Sequence, residues 1–269
     1  MNTLKLAHGN KIPVLGLGTW RLQGSDCEET VETALALGYR HIDTAEHYQN
    51  QIFIGRALQK SALAREEIFL TSKVWRDHLE QAAVRQVCEQ SLQELQTEYL
   101  DLFLIHWPNH QIPLEETLTA LEQLRQEGLI RAFGVSNFTI KHLKKTEELG
   151  FTISVNQVEY HPSFKQEDLK EYCRQRGIIL VTYSPLGQGQ DLSIPLLQEL
   201  GKKYNASAAQ IILAWILQQG MVAIPRSRQQ QHLADNLRAA KIKLTAEEID
   251  LINQLPNRER LLHPPYAEF

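Results

Sequence analysis

Three short apolar runs in this sequence each end on an ionisable side chain. Asp43-Thr44-Ala45-Glu46-His47-Tyr48 puts an acid and a phenol at the exit of one run, residues 68–73 close on Lys73, and residues 100–106 close on His106. A Lys-Asp pair is usually a surface ion pair and a lone His in an apolar run usually a satisfied core group. Joint placement at three successive strand exits argues otherwise, because charges are not left at the ends of buried strands without partners. The set suits proton donation. A phenol is a poor acid near neutrality, an adjacent ammonium lowers its pKa, and a carboxylate keeps that ammonium charged. Tyr48 is then the acid, Lys73 its tuner and Asp43 the anchor, and His106 is free to hydrogen-bond a substrate oxygen that gains negative charge. The sequence contains no Ser-His elbow, no H-E-x-x-H and no paired Cys, so neither a covalent nucleophile nor a metal set is expected. A reaction that places a proton on oxygen without covalent catalysis needs a reagent from outside, and hydride is the obvious one.

The elements that must position these groups alternate regularly. Strands are expected over 14–20, 40–44, 68–73, 100–106, 130–136, 154–159, 178–184 and 221–225, most followed by an amphipathic helix: 27–37, 50–60, 79–95, 114–127, 140–149 and 166–176. Two helices, 192–204 and 206–218, separate strands seven and eight around a break at Asn205, and helices 230–239 and 246–254 end the chain. Residues 4–13 read as a hairpin around His8-Gly9-Asn10 that plugs one end. Continuous apolar strands alternating with helices indicate a (β/α)8 TIM barrel with an N-terminal β-hairpin and a short C-terminal tail. An open doubly wound sheet would bring G-x-G-x-x-G, and Gly16 and Gly18 lack the third glycine. With no linker visible, residues 1–269 are expected to form a single domain. In such a barrel all strand exits share one face, which carries the chemistry.

Composition sets outer limits. A formal charge of -4 with 22% charged residues gives no nucleic-acid footprint. Cys27, Cys88 and Cys173 fit neither a disulfide framework nor paired metal ligands; residues 1–8 lack an apolar core and no run reaches 18 apolar residues, so neither a signal peptide nor a membrane span is expected. A cytoplasmic protein that binds neither nucleic acid nor membrane is expected.

The second half offers a place for the hydride carrier. Ser136, Asn137 and Gln157 supply hydroxyl and amide groups suited to a carboxamide, and Tyr183 a flat ring suited to stacking on nicotinamide. Ser184-Pro185-Leu186-Gly187-Gln188-Gly189 allows close backbone approach to a pyrophosphate. Arg226-Ser227-Arg228 precedes a helix after strand eight, where barrels often bind phosphate. Alone, that basic run would read as a solvated loop. Trp20, Trp75 and Trp107 follow strands one, three and four and are expected to wall a shallow substrate pocket.

The chain resembles the aldo-keto reductase family, and within it the prokaryotic members related to 2,5-diketogluconate reductases. The likeness runs nearly end to end through Gly16-Leu17-Gly18-Thr19, Gly38-Tyr39-Arg40-His41-Ile42-Asp43-Thr44-Ala45, Asp101-Leu102-Phe103-Leu104-Ile105-His106-Trp107-Pro108, Gly134-Val135-Ser136-Asn137-Phe138, Tyr183-Ser184-Pro185-Leu186 and Ile224-Pro225-Arg226-Ser227. It implies a tetrad of Asp43, Tyr48, Lys73 and His106, an extended NADPH with Asp235 and Asn236 near its adenine, reduction of a small carbonyl substrate, and a monomer. Arg226 stands where the family commonly has lysine and His232 where it often has arginine, which implies a reduced preference for NADPH over NADH. Gln51 replaces the usual glutamate. The loop 109–113 and the tail after Leu255 are short, so an open, permissive site for small aldehydes, dicarbonyls or keto sugars is expected. The rival readings are a barrel that keeps the cofactor as a regulatory or structural subunit, and a Schiff-base enzyme using an uncharged Lys73.

Overall fold

Parallel strands cannot be joined by tight turns, and this chain places a helix after most of them. The computed structural model describes residues 2–269. A hairpin of β1 (Thr3–Lys5) and β2 (Lys11–Pro13) opens the chain. Eight parallel strands follow: β3 (Leu17–Gly18), β4 (His41–Asp43), β5 (Phe69–Val74), β6 (Leu102–Ile105), β7 (Phe133–Ser136), β8 (Val155–Glu159), β9 (Ile179–Tyr183) and β10 (Val222–Ala223), paired in chain order. The first and last then meet. Leu15 bridges Ala223, the Gly16 amide donates to Ala223 O at 2.9 Å, and the Gly18 amide donates to Pro225 O at 3.2 Å. This (β/α)8 barrel is closed. Strands one and eight are shorter than the expected 14–20 and 221–225, because their seam consists of separate ladder bonds rather than a continuous run.

Among the described residues ten α-helices surround the sheet: α1 (Gly24–Leu37), α2 (Gln51–Lys60), α3 (Gln81–Leu95), α4 (Leu114–Gln126), α5 (Ile140–Glu148), α6 (Glu167–Gln175), α7 (Pro195–Lys203), α8 (Ala208–Gln218), α9 (Gln230–Ala239) and α10 (Ala246–Asn253). Helix α1 starts three residues before the expected 27, after an extended Gln23. Thr139, Ser207 and Thr245 cap α5, α8 and α10 by accepting from the third helical amide. Between α7 and α8 the break falls at Asn205, which takes a positive φ of 49°.

Two apolar layers hold the barrel. Inside it, Leu102, Leu104, Val155, Val181 and Val222 pack with Phe69 and with Leu6 and Ile12 of the hairpin segment, which occupies the end away from the strand exits. Outside it, residues such as Val31, Ile54, Leu92, Leu121 and Trp215 fill the space between strands and helices. The strand exits are left to polar side chains.

The α2–α3 contact is close enough to decide one residue. A Cβ on Gly55 would lie 2.3 Å from Glu94 O and 3.1 Å from Leu95 Cα. Alanine is favoured in a helix by about 1 kcal/mol, whereas overpacking against fixed backbone costs roughly 1–3 kcal/mol. Gly55→Ala should therefore be a net destabilisation, read as a lower urea midpoint at unchanged slope.

Candidate active site

Asp43 is the last residue of β4, Lys73 the fifth of β5, and His106 follows β6 directly. Tyr48 ends a single 3-10 turn, 46–48, which carries the phenol back over the barrel. Lys73 Nζ donates to Asp43 Oδ1 at 2.6 Å and to Thr44 O at 2.7 Å, and reaches Tyr48 Oη at 3.5 Å. Its side chain is 0% exposed and that of Asp43 2%. The other Asp43 oxygen accepts from Gln157 Nε2 at 2.7 Å, across the barrel from β8. All three amine protons thus have an acceptor, and both carboxylate oxygens a donor. A free amine for Schiff-base chemistry is not available here.

The electrostatics correct one expectation. Burial, and then the charge of Asp43, push the Tyr48 phenol well above the ordinary tyrosine range, whereas a lowering by Lys73 was expected. The reason is geometric: burial dominates at the phenol, and the ammonium lies closer to a carboxylate, at 2.6 Å, than to the phenol, at 3.5 Å. Burial lowers the Lys73 ammonium itself, against the attraction of Asp43. Tyr48 keeps its proton. His106 is held well below the usual imidazole range by burial, then by Lys73 and His47, and is neutral. Its Nδ1 is buried with no partner among the described residues, so the single ring proton is best placed on Nε2. The Tyr48 and His106 rings meet edge to face, with centroids 5.6 Å apart.

These groups floor a cavity of about 790 Å³, within the usual range for a small-molecule site. It is lined by Asp43, Tyr48, His106, Trp20, Trp75, Trp107, Ser136, Asn137, Gln157, Tyr183, Ser184, Leu186 and Arg226, all expected from the sequence. Lys73 lies behind Asp43 and Tyr48. Ser227, Arg228, His232, Asp235 and Asn236 do not line it. Arg228 pairs with Asp26, Asp235 pairs with Arg238, and Asn236 is buried in α9. Some of the expected polar groups are also occupied within the protein: Asn137 Nδ2 donates to His106 O and Ser136 Oγ at 3.1 Å, and Asn137 Oδ1 accepts from Tyr183 Oη at 2.8 Å. Among the described residues Gln157 Oε1 has no hydrogen-bond donor, its Nε2 being used by Asp43.

Sequence reasoning missed two contributors. Arg21 follows strand one, sits over the Trp20 ring at 4.1 Å and lines the same cavity. The tail does more than its length suggested. Leu262, Pro264 and Tyr266 line the cavity, and Tyr266 meets Trp75 and Trp107 edge to face at 5.6 and 5.5 Å. The expected open site is thus walled on one side, because the tail lies across the barrel mouth instead of leaving it. Neither feature had a signal beyond an arginine and aromatics near a strand exit or chain end. Arg21, Asn137, Ser184 and Gln188, all lining residues, have positive φ of 63°, 63°, 48° and 51°. Such conformations cost energy in non-glycine residues and gather at functional sites.

A family model described as the aldo/keto reductase family matches residues 14–257. The chain is 41% identical over 262 residues to a glyoxal reductase of Bacillus subtilis (strain 168), covering 97% of this chain and 95% of that one. It is 38% identical over 261 residues to the methylglyoxal reductase DkgB of Yersinia pestis, covering 94% and 96%. Among solved structures, an aldo-keto reductase complexed with NADPH superposes with a TM-score of 0.93 at 30% identity, over 99% of this chain and 91% of that one.

The buried histidines set a pH dependence. Burial holds His41, first residue of β4, down to about 4, and His106 is depressed too. Below the ordinary imidazole value of about 6.5 the unfolded chain binds protons that the native barrel does not, so stability is lost as pH is lowered, by up to about 1.4 kcal/mol per unit for each group. For His41 this persists down to about pH 4. Urea midpoints at pH 7 and pH 4.5 should therefore differ less in His41→Gln than in the parent chain; an equal difference would remove His41 from the account.

Proposed function

Because the chain belongs to the aldo/keto reductase family, we propose that it reduces small aldehydes and 1,2-dicarbonyls to alcohols at the floor of this cavity. The observation that carries the reading is Tyr48 Oη, protonated, at 3.5 Å from a lysine fixed by Asp43. NADPH fits the remaining surface. Tyr183 offers a ring and Gln157 an amide oxygen, and Arg226 and Arg21 add two guanidinium groups to the same lining. Burial, then the charges of Arg21 and Arg228, lower the Arg226 guanidinium, so an anion there relieves a repulsion that is already built in. When bound, this cofactor supplies the hydride that reduces a carbonyl carbon.

The chain's own residues supply the rest. Nε2–H of the neutral His106 and the Tyr48 hydroxyl converge on one region, and a carbonyl oxygen there accepts from both. As negative charge grows on that oxygen, the Tyr48 proton moves to it. The resulting phenolate is next to the Lys73 ammonium, whose attraction increases only as that charge appears. Lys73 thus acts on the charge being formed, and not by acidifying the resting phenol. Trp20, Trp75, Trp107 and Tyr266 exclude water and favour a compact substrate. We assign methylglyoxal-like dicarbonyls to this pocket on its aromatic walls and on the activities named for the Bacillus and Yersinia relatives. We further propose that residues 1–269 act as one domain, monomeric and cytoplasmic; the three cysteines are free and buried, as a reducing compartment allows. No described helix is long and apolar enough to cross a membrane.

Tyr48→Phe should lower kcat for methylglyoxal by a factor of at least about 10² while NADPH binding, followed by fluorescence titration, stays within about twofold. Near-parental turnover would place the acid elsewhere. Arg226→Ala should raise the KM for NADPH by about tenfold more than that for NADH, the loss expected of a charge-assisted hydrogen bond to a 2′-phosphate. An equal effect on both cofactors would take the phosphate role away from this arginine.

A further inference from the structure

A second cluster of buried ionisable groups lies beside the cavity, and the reduction chemistry does not use it. Glu159, the last residue of β8, is 0% exposed, as is Asp191 in the turn 187–193 after β9. His161 lies between them, its Nε2 3.3 Å from Glu159 Oε1 and its Nδ1 3.0 Å from Asp191 Oδ2. Burial opposes a charge on His161, but its hydrogen bonds to Asp191 and Glu159 outweigh that and raise it.

Each carboxylate also holds a different wall. Glu159 accepts the backbone amides of Leu261 at 2.7 Å and Leu262 at 3.0 Å, through one oxygen each. Those residues begin the tail segment whose Leu262, Pro264 and Tyr266 line the substrate side of the cavity. Further contacts follow the same edge: Arg258 N donates to Ser163 O at 2.6 Å, and Lys165 and Asn257 exchange two hydrogen bonds at 3.0 Å. Asp191 accepts from Ser163 N and Ser163 Oγ and lies directly under Gly187, where a Cβ would stand 2.8 Å from its carboxyl carbon. Gln188 and Gly189 of that turn, and Leu186 just before it, line the same cavity as Arg226. One buried imidazole thus joins the anchor of the substrate wall to the anchor of the loop on the cofactor side.

We propose that Glu159 and His161 are positioning residues that couple the two: Glu159 sets the tail over the substrate pocket, and His161 passes the position of the 187–193 turn to it. The substrate pocket then takes its final shape when NADPH occupies the groove. This rests on the reductase reading above, and its test has a readout that needs no turnover.

Hydrogen exchange of the 256–269 peptide, with and without saturating NADPH, reports the tail directly. NADPH should slow tail exchange in the parent protein. Glu159→Gln replaces an oxygen acceptor with an amide donor, so the tail should exchange about tenfold faster in both states, as for loss of a hydrogen bond to a charged group. KM for methylglyoxal should rise by a similar factor, with kcat and the NADPH dissociation constant changed much less. In His161→Gln the tail should keep its basal protection and lose its response to NADPH. Should Glu159→Gln fail to fold, Leu261→Pro deletes one donor from the tail side and should give the same loss of protection. Unchanged tail exchange in the Glu159 or Leu261 variant overturns the anchor, and a retained NADPH response in His161→Gln overturns the coupling. Tyr48→Phe should leave all these exchange rates as in the parent, so a wrong assignment of the acid would not be mistaken for a wrong joint.

Discussion

An ammonium and a carboxylate taken wholly out of water are the constraint on which this barrel is built. Desolvating such a pair costs several kcal/mol per ion, and its attraction repays that only where every remaining proton and lone pair is used. Here they are used: Lys73 has Asp43, Thr44 O and Tyr48, and Asp43 has Lys73 and Gln157. A hydrophobic pair would pack as well at less cost. What the ion pair adds is a demand that β4, β5 and β8 hold one register, because a slip of one residue would turn each of these side chains to the other face. The ladder agrees with that demand, with Asp43 opposite Thr71 and Lys73 opposite Leu104.

The same constraint explains why a catalytic phenol can have a high resting pKa. An acid that is already ionised before its substrate arrives has nothing to give. Burial keeps the Tyr48 proton in place, and in the reaction proposed above the lysine 3.5 Å away contributes when charge moves onto the oxygen it faces. In the proposed reaction the acid and its neighbour therefore divide the work in time: desolvation governs the resting state and the ammonium governs the transition state.

How much of this could be read in advance depends on whether the signal was local. Strand ends carrying Asp43, Lys73 and His106 were legible because apolar runs ending on a charge are rare and the repeat was regular. The break at Asn205 was legible for the same reason, being a turn former between two amphipathic stretches. Gln157 was read as a cofactor ligand alone, since nothing in β8 reveals that its amide spans the barrel to Asp43. The basic run is one unit in sequence, yet of its residues only Arg226 reaches the cavity, because Arg228 finds Asp26, far away in sequence. Pairings across 202 residues leave no trace in spacing.

The tail shows the same limit from the other direction. Its short length predicts an open site, but length does not determine where a segment lies; the buried groups that can bind its backbone do. Two amides of the tail need acceptors, and Glu159 is a buried acceptor with two oxygens at the strand exit beneath them. A carboxylate at the end of β8 therefore does for the wall of the pocket what Asp43 at the end of β4 does for its floor. The difference lies in the counter-charge. A lysine with one carboxylate makes a joint that stays put, whereas an imidazole between two carboxylates on separate segments ties those segments to each other, so that displacing either one changes what holds the other.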